Sequence, residues 1–475
     1  MTRKTALLFN PPTGKMVRED RCQADVEKMV NGVLRTPIDL LTEAACLERE
    51  GVTCRLRDYP ALGLTWADVE REMAEFRPEM VVISVTTPTL PKDLQACALA
   101  KRLNPHVLTV AKGAHFLADD ISPFQLAPEL DVIVRGEAEE AIAELATASD
   151  CSAVTGISYR KGAEIMHTAK RPLKQDLDSL PFPARHLINN ALYIRPDTGK
   201  PQTTISASRG CPFECIYCLA PVVSGSKLRM RSPKNVVDEV EECVTKFGIR
   251  NFLFLADTFT LHKTWTVGVC QEVVERGLKI QWCANSRANS IDEEKISWMK
   301  KSGCWLIAFG LESGSQELLN KMKKSLTLED SRRAIRLCRR YGIKSSAYFI
   351  FGLPWETRET AEATIAFAKE LNPNFTEFYT AYPFPGTEFH DIALNGKLFD
   401  PRDLVGNSYA GHDTTMISSY ALSQQELVEI IRRAAREFYF RPSYVWQTLR
   451  GIRSLAVAKN YAQYGLRAAG RLILR

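Results

Sequence analysis

Three closely spaced cysteines are the part of the sequence best suited to chemistry. Cys211, Cys215 and Cys218 follow a strand-like run with the spacing CxxxCxxC. A structural zinc site usually takes four ligands in two pairs, and a cubane iron–sulfur cluster normally takes four cysteines. Three cysteines with no obvious fourth can instead hold a 4Fe–4S cluster that leaves one iron open for a substrate or cofactor. Chance core cysteines, or a zinc site completed by a distant histidine, are the alternatives.

The other cysteines have a different character. The chain contains 13 cysteines, and those outside the triplet are scattered. Several, including Cys283 and Cys304, lie in apolar runs, which is typical of buried, reduced core residues. Reduced thiols together with a metal or redox site indicate a reducing compartment, so we expect a cytoplasmic protein.

A central region, residues 201–405, must position the triplet. Six strand-like runs alternate there with helical patterns, which predicts a partial (β/α)6 barrel. Active sites of such barrels lie at the carboxyl ends of the strands. Asp257 and Arg287 lie at two of these ends and are candidate binding residues.

Residues 1–150 predict a separate α/β unit. Five apolar runs alternate with helical patterns, which is typical of a doubly wound five-stranded parallel sheet. Ligands of such sheets bind beyond the carboxyl ends of the strands. The loops at these ends are rich in Gly, Pro and small hydroxyl residues, which suits a large polar ligand lying along the backbone. The candidate contacts are Asn10, Pro11, Pro12, Thr13, Ser84, Thr86, Thr87, Gly113, His115, Gly136 and Glu137.

Two further segments complete the predicted organisation. Residues 151–200 are interpreted as a small hairpin followed by a proline-containing linker. Residues 406–475 are predicted to be a helical region. Within it, Ser423 and Glu426 form a capping box ahead of an apolar stripe that begins at Leu427.

Composition excludes several classes of protein. The chain has 475 residues, of which 45% are hydrophobic and 25% charged, and this argues against global disorder. No apolar run approaches the roughly 20 residues of a membrane-spanning helix, and no secretory signal is recognisable. The net charge of +6 is too small to indicate a nucleic-acid partner.

The positive charge is concentrated in the tail. Residues 432–475 contain ten basic residues and one acidic residue. Arg467, Arg471 and Arg475 recur every four residues and predict a basic stripe on an amphipathic helix. Such a helix can lie on an anionic membrane surface, which here means the inner face. A helix packed on the barrel, or a frayed end, is the alternative.

The cysteine triplet, with Tyr217 before its last member, resembles the signature of the radical S-adenosylmethionine superfamily. The resemblance implies that the three cysteines bind a 4Fe–4S cluster, whose open iron holds the amino and carboxylate groups of S-adenosylmethionine. It places Tyr217 beside the adenine. It also places the GLESG segment at 310–314, with Glu312 and Ser313, near the ribose and amino-acid part. It places the GLP segment at 352–354, with Gly352 and Pro354, near the adenine.

The N-terminal half resembles the cobalamin-binding subclass of this superfamily, and so does most of the chain. The segments that carry the resemblance are NPP at 10–12, VTTPT at 85–89, KGAHF at 112–116, RGEAEE at 135–140, LPFPAR at 180–185 and YPFPGT at 382–387. The resemblance implies that the five N-terminal loops bind cobalamin.

The lower ligand of cobalt is a separate question. Classical cobalamin modules carry a DxHxxG motif after the first strand, and the loop here lacks a histidine. We therefore expect no protein imidazole on cobalt. His115 is a cobalt ligand, a polar neighbour of the corrin or its tail, or an ordinary loop residue. The run DYPALG at 58–63 follows the second strand and is interpreted as coincidence, with Asp58 a strand-end residue.

The implied cofactors are a 4Fe–4S cluster, S-adenosylmethionine and cobalamin. They predict a methyltransferase acting on an unactivated carbon of a hydrophobic or natural-product-like molecule, such as a lipid or a tetrapyrrole. One S-adenosylmethionine would methylate the cobalamin, and a second would supply the 5′-deoxyadenosyl radical. Electrons would come from a flavodoxin or ferredoxin type of reductant.

Two alternatives remain open. The first is a radical cyclase or other oxidative ring-forming enzyme that uses cobalamin without net methyl transfer. The second is a non-catalytic cobalamin-binding protein. A tRNA methylthiotransferase is disfavoured, because the chain ends in predicted helices rather than in a small β-barrel.

Overall fold

The protein is described by a computed structural model that covers residues 3–19, 23–29, 33–195, 197–405 and 415–450. Its strands are β1 Thr5–Asn10, β2 Thr53–Asp58, β3 Met80–Ser84, β4 Leu108–Lys112, β5 Val132–Val134, β6 Ile157–Lys161, β7 Glu164–His167, β8 Gln202–Ser206, β9 Ser208–Arg209, β10 Arg229–Met230, β11 Asn251–Leu255, β12 Gln281–Ser286, β13 Cys304–Glu312, β14 Lys344–Phe351 and β15 Phe375–Thr380.

The α-helices alternate with these strands and then end the described chain. They are α1 Ile38–Arg49, α2 Tyr59–Leu62, α3 Trp66–Phe76, α4 Leu90–Asp93, α5 Gln95–Leu103, α6 Ser122–Leu126, α7 Glu139–Thr147, α8 Ala220–Ser224, α9 Pro233–Phe247, α10 Lys263–Glu275, α11 Glu293–Lys301, α12 Gln316–Lys321, α13 Leu328–Arg340, α14 Arg358–Leu371, α15 Glu388–Asn395, α16 Gln424–Tyr439 and α17 Pro442–Arg450. The basic stripe predicted at Arg467, Arg471 and Arg475 lies outside the described residues.

The N-terminal sheet has the predicted parallel strands and two more. Its order is β2-β1-β3-β4-β5-β6-β7. Strands β1 to β5 are parallel, as expected, and helices cover both faces, α1 and α7 on one side and α3 and α5 on the other. The hairpin β6–β7 was expected to belong to the linker, but it extends this sheet as two antiparallel strands. The sheet therefore has seven strands rather than five.

The central region is an open parallel barrel of six strands in the order β8-β11-β12-β13-β14-β15. All five strand pairs are parallel, which confirms the predicted (β/α)6 pattern. The edge strands β8 and β15 lie at opposite ends of this order, so the barrel has an open side. The segment between β1 and α1 reaches this side, where the Thr36 hydroxyl donates to Thr203 Oγ1 of β8 at 3.4 Å.

Helix α16 packs against the barrel as the sequence indicates. Ser423 caps its start, accepting from the Glu426 backbone, while the Glu426 side chain accepts from the Ser423 backbone. The apolar stripe that begins at Leu427 is buried in the core of the barrel. This capping box stabilises the helix start by about 1 kcal/mol.

The two sheets point their carboxyl ends toward each other. Ala114, which follows β4, packs among Leu219 and Phe384 at the mouth of the barrel. Glu137, which follows β5, accepts from the Arg229 guanidinium at 2.8 Å and forms an ion pair with Arg209 at 3.2 Å. These contacts connect the loops of the first sheet to the mouth of the second. Within the described residues, every helix is too short or too polar to cross a membrane.

Candidate active site in the barrel lumen

A cavity of about 480 Å³ runs through the barrel. The carboxyl end of the cavity holds the cysteine triplet, and its amino end reaches the first residues of β8, β13 and β15. Inward-facing residues of β13, β14 and β15 form much of its wall. Six side chains from the N-terminal segment close the open side between β8 and β15; they are Val17, Glu19, Ala24, Met29, Val33 and Arg35. The lumen is thus built by both units of the chain.

The cysteine loop is clamped at its base. Strands β9 and β10 pair on either side of it, and Gly210 begins it with φ +89°. A Cβ at Gly210 would lie 2.1 Å from the carbonyl oxygen of Lys227, so only glycine fits there. The Gly210 backbone N–H donates to Asp257 Oδ2 at 2.7 Å. Asp257, predicted as a cofactor contact, also lines the lumen and fixes the start of this loop.

The three thiols share one wall and have the chemistry of cluster ligands. All three line the cavity, and Cys211 and Cys215 are buried. Burial raises the pKa of the Cys211 thiol and raises that of Cys218 to about 12. The Ala220 backbone N–H nevertheless donates to Cys218 Sγ at 3.4 Å, which suits a metal-bound thiolate.

The triplet is not arranged as a preformed zinc site. Among the described residues, no group of three or more His, Cys, Asp or Glu side chains is already placed to hold a single metal ion. Cys283 is a fourth cysteine on the lumen wall, but its thiol donates to the carbonyl of Phe252 in the neighbouring strand at 3.7 Å. Since each thiolate of a cubane cluster binds a different iron, three loop cysteines fit a cluster better than a zinc ion.

Beside the triplet lies a buried ion pair. Lys324 Nζ donates to Glu312 Oε1 at 2.6 Å and to Tyr217 Oη at 3.1 Å. Glu312 ends β13 with φ +66°, a strained value for a non-glycine residue that marks functional positions. Gly310 makes room for the pair, because a Cβ there would lie 2.2 Å from Glu312 Oε1. Burial, together with the Glu312 charge, raises the pKa of Tyr217. The wall therefore offers carboxylate, ammonium and phenol groups beside the cysteines.

Arg287 contacts both the cysteine loop and the backbone of Lys324. Its Nη1 lies 3.6 Å from Cys215 Sγ and donates to it. The guanidinium stacks on Phe213 at 3.6 Å and donates to the Lys324 carbonyl, while Nε has no partner among the described residues. Arg287, Asp257, Tyr217 and Glu312 thus converge on the triplet, as the sequence predicts for cofactor contacts.

Other predicted contacts lie behind this wall. The Ser313 hydroxyl pairs with Thr364 Oγ1 at 3.1 Å. Gly352 packs against Ile417 and Leu427 of the C-terminal region. The Pro354 carbonyl accepts from the Tyr420 backbone N–H at 2.8 Å. Their cofactor role stays a prediction. In the structure Ser313 contacts helix α14 of the barrel, while Gly352 and Pro354 join the barrel to its C-terminal cover.

The loops after β1 and β3 are tied together by Asp93, which sequence reasoning missed. Arg18 Nη1 and Nη2 each donate to this carboxylate at 3.0 Å. The Thr13 hydroxyl donates at 2.5 Å and the Thr86 backbone N–H at 3.2 Å. Both ionic side chains are buried, so loss of either would cost about 3–5 kcal/mol. Thr13 and Thr86, which were predicted as ligand contacts, take part in these hydrogen bonds to Asp93.

Two predicted cobalamin contacts keep buried polar atoms free of protein partners. Among the described residues, Asn10 Oδ1 and His115 Nε2 have no hydrogen-bond partner. His115 Nδ1 pairs with Thr87 Oγ1 at 3.3 Å, and burial lowers the pKa of the imidazole. Orphaned polar atoms at the carboxyl edge of the sheet fit a polar ligand there.

The glycines and acids of these loops have distinct roles. A Cβ at Gly113 would lie 2.2 Å from the Val85 carbonyl, whereas the space beside Gly136 is open. Glu137 forms ion pairs with Arg209 and Arg229 and thereby joins the two units. Pro11, Pro12 and Ser84 lie at the ends of β1 and β3 as expected. Asp58 ends β2, as interpreted, and accepts from Tyr193 Oη at 2.9 Å.

The aromatic lining of the lumen was not predicted. The side chains concerned are Phe213, Trp305, Tyr348, Phe375, Tyr379, Tyr382 and Phe384. The alternation of residues along β14 and β15 indicates the aromatic residues that these two strands contribute, because inward-facing positions recur every second residue. The lumen is consequently suited to a ligand with a large apolar or aromatic surface.

Two parts of the chain match known families. Residues 205–368 match the radical SAM superfamily, and residues 34–146 match the B12 binding domain. The chain is 31% identical over 440 residues to an uncharacterised methyltransferase of Pyrococcus horikoshii, with 92% of each chain covered.

A second relative and a solved structure extend this picture. The anaerobic magnesium-protoporphyrin IX monomethyl ester cyclase of Cereibacter sphaeroides is 30% identical over 392 residues, covering 79% of this chain and 63% of the cyclase. The radical S-adenosylmethionine methyltransferase TsrM of Kitasatospora setae, solved with cobalamin and a [4Fe-4S] cluster, is 21% identical with a TM-score of 0.67. The likeness covers 83% of this chain and 78% of TsrM, and shows a shared fold.

Proposed function

Because the chain belongs to the cobalamin-dependent radical S-adenosylmethionine enzymes, we propose that it transfers a methyl group to an unactivated carbon of a largely apolar small molecule. The observation that carries the proposal is the aromatic lumen at which the carboxyl ends of both parallel sheets meet. Its relatedness to a methyltransferase over 92% of the chain supports the reaction class.

The residues of the chain bind and orient the cofactors. When bound, cobalamin supplies the methyl group, and the cluster with S-adenosylmethionine supplies an organic radical. Cys211, Cys215 and Cys218 would hold the cluster. The Lys324–Glu312 pair offers both charges for the amino and carboxylate groups of S-adenosylmethionine.

The lumen wall excludes water from the reacting carbon. Leu253, Leu306 and Ile350 line it together with the aromatic side chains. A dry cavity protects a reactive organic radical from side reactions. Position and shielding are thus the contributions of the protein.

The products of S-adenosylmethionine test this function. The protein is reconstituted anaerobically with iron, sulfide, cobalamin and a chemical reductant, and incubated with candidate hydrophobic substrates. Mass spectrometry should find S-adenosylhomocysteine and 5′-deoxyadenosine in equal amounts, together with a methylated product. The triple Cys→Ala variant at 211, 215 and 218 should produce no 5′-deoxyadenosine. Substrate conversion with 5′-deoxyadenosine but no S-adenosylhomocysteine would overturn methyl transfer.

That last outcome is the signature of the second candidate function. The 30% identity to a magnesium-protoporphyrin ester cyclase favours a radical ring-forming reaction without net methyl transfer as the alternative. The same reconstituted protein and the same product analysis decide between the two functions.

We propose a flavodoxin or ferredoxin type of protein as the electron donor, and an anionic membrane surface as a docking site for the C-terminal end. Phe440, Val445, Trp446 and Leu449 are exposed on and just before α17, and Arg450 stacks on Trp446 at 4.8 Å. Exposed aromatic and basic side chains are typical of interfacial helices. Sedimentation with anionic liposomes should separate the full chain from a form ending at Phe440. Equal binding by both forms would contradict the role of this end.

A further inference from the structure

Two polar atoms at the amino end of the lumen are buried without partners. Glu19 lies on the lumen wall with its residue surface 8% exposed, and within the described residues its Oε1 has no hydrogen-bond partner. Trp305 lies on the same wall, and its Nε1 also has no partner among those residues. A buried polar atom without a partner costs about 1–3 kcal/mol. The same cavity therefore offers one hydrogen-bond acceptor and one hydrogen-bond donor to a polar group of a ligand.

Two ion pairs lie beside these atoms. Arg35 Nη1 donates to the other carboxylate oxygen of Glu19 at 2.6 Å. Arg195 forms a two-pronged pair with Asp197, at 2.6 and 2.7 Å, and stacks on Trp305 at 3.5 Å. Glu19 and Asp197 are thus each paired with an arginine, and these four side chains together carry no net charge. A ligand with a full charge would leave one member of these pairs uncompensated, which is costly in a buried site.

The cluster occupies one end of the lumen. Arg35, Arg195 and Asp197 all lie close enough to Cys283 to influence the pKa of its thiol, so the two ion pairs are neighbours. Trp305 is the second residue of β13, and Glu312 ends the same strand. At about 3.3 Å per residue, Trp305 and Glu312 are roughly 23 Å apart along this strand.

The wall between the ends is mainly apolar, although the buried carboxyl group of Glu377 in β15 also belongs to it. Leu306, Ala308, Ile350, Tyr348 and Phe375 line it. A ligand that reaches from the cysteines to Trp305 therefore has a mainly apolar body, and a polar group at its remote end would meet Trp305 Nε1.

We propose that Glu19 and Trp305 form a subsite for an uncharged hydroxyl or amide group at the far end of an elongated, mainly apolar substrate. The hydroxyl or amide donates to Glu19 Oε1 and accepts from Trp305 Nε1. The inference rests on the proposed function only for calling this ligand the substrate. The subsite itself is a property of the lumen.

Binding of four matched probes to the reconstituted full chain tests the subsite. The probes are 4-phenylbutan-1-ol, 4-phenylbutanamide, 4-phenylbutanoate and 4-phenylbutylammonium, which share one apolar body. Anaerobic calorimetry should show that the alcohol and the amide bind at least 5-fold more tightly than the carboxylate and the ammonium. Because no turnover is involved, the result does not depend on the outcome of the methyl-transfer assay.

Two conservative variants locate the effect. Trp305→Phe keeps a ring beneath Arg195 but removes the donor, and should weaken alcohol binding 3- to 10-fold. Glu19→Gln removes the negative charge beside Arg35, so 4-phenylbutanoate should gain affinity relative to 4-phenylbutan-1-ol. Trp298→Phe and Glu317→Gln, on the outer helices α11 and α12, serve as matched controls and should change neither affinity.

Three outcomes would overturn the proposal. The first is equal affinity for all four head groups, which would mean that ordered water alone satisfies the two atoms. The second is a preference for the ammonium, which would mean that the carboxylates dominate the site. The third is unchanged selectivity in both variants. If one variant fails to fold, as judged by circular dichroism, the other still decides.

Discussion

Arg287 donates a hydrogen bond to the sulfur of Cys215 across 3.6 Å while its guanidinium stacks on Phe213 at 3.6 Å. Cys215 is one of the three cysteines that would hold the cluster, so a fixed positive charge lies beside one of the cluster ligands. Hydrogen bonds to the sulfurs, and charge near them, set the reduction potentials of iron–sulfur clusters. Arg287 is therefore a positioning residue that acts through Cys215.

Replacement of Arg287 should make the cluster harder to reduce. In Arg287→Gln the positive charge is lost, so the more negative reduced cluster is less stabilised and the midpoint potential becomes more negative. Arg287→Lys, which keeps the charge but not the stacked plane, should give an intermediate value. Redox titration monitored by electron paramagnetic resonance measures the shift. The exposed Arg336→Gln is the control, and an unchanged potential in Arg287→Gln would contradict the assignment.

Loss of any one cysteine of the triplet should abolish the intact cluster. Cys211→Ala, Cys215→Ala and Cys218→Ala each remove one thiolate ligand, and thiolates hold such clusters. The visible absorption and the iron and sulfide content should fall, and 5′-deoxyadenosine formation should cease. Cys338→Ala, in the core of the barrel, should keep the full cluster. A complete 4Fe–4S complement in the variant that lacks all three cysteines would contradict the ligand assignment.

Gly310→Ala should weaken S-adenosylmethionine binding at least 10-fold. A methyl group there would lie 2.2 Å from Glu312 Oε1 and 3.0 Å from Lys324 Nζ, so the ion pair must move. Equilibrium dialysis with labelled S-adenosylmethionine measures the loss, and circular dichroism checks the fold. Gly268→Ala in α10 is the control, because the added methyl meets only Pro233 at 3.2 Å. Wild-type affinity in Gly310→Ala would show that the pair does not hold the cofactor.

The cob(II)alamin form should show no nitrogen coupling from a protein histidine. His115 Nδ1 is held by Thr87, and the ring lies edge-on to Phe116 at 5.9 Å. These contacts fix the imidazole in the edge of the sheet. Electron paramagnetic resonance of the protein with bound cobalamin should give the same spectrum in His115→Ala as in the wild type. Superhyperfine coupling that disappears in this variant would instead identify His115 as the lower ligand.

The sequence predicted the parallel strands well because each strand carries its own local pattern. Many of these strands, such as β1 and β3, are short apolar runs bounded by loop residues, and their carboxyl ends followed from general topology. Glu312 and Arg287 were predicted as candidate contacts because each lies at a strand end, and Tyr217 because it precedes the last cysteine of the triplet.

The remaining features depend on contacts between distant parts of the chain. The hairpin β6–β7 joins the first sheet through pairs such as Ile133 with Ser158, which no local pattern indicates. Glu137 was expected at the corrin, and its pairing with Arg229 required knowledge of how the two units pack. Asp93 sits at a helix end with an unremarkable sequence context. Glu19 comes to the lumen only because the segment after β1 crosses the open side of the barrel.

Glu356 should make the stability of the protein depend on pH. This carboxyl is 1% exposed, and among the described residues its Oε2 has no partner. Burial raises its pKa from 4.5 to about 7, because desolvation disfavours the charged form. The folded protein therefore holds this proton more strongly than the unfolded chain does. Below about pH 4.5 the group is protonated in both states and has no effect.

Stability should then fall as the pH rises from about 4.5 to 7, and stay lower above pH 7. A shift of about 2.5 pKa units corresponds to roughly 3 kcal/mol. Glu356→Gln removes this titration, so the thermal midpoint of the variant should rise relative to the wild type by several degrees between pH 5 and pH 8. Differential scanning calorimetry of both proteins across this range measures the difference. Glu359→Gln, on the exposed first turn of α14, is the control. If the difference in thermal midpoint between Glu356→Gln and the wild type stays constant over this pH range, Glu356 is already ionised in the folded protein.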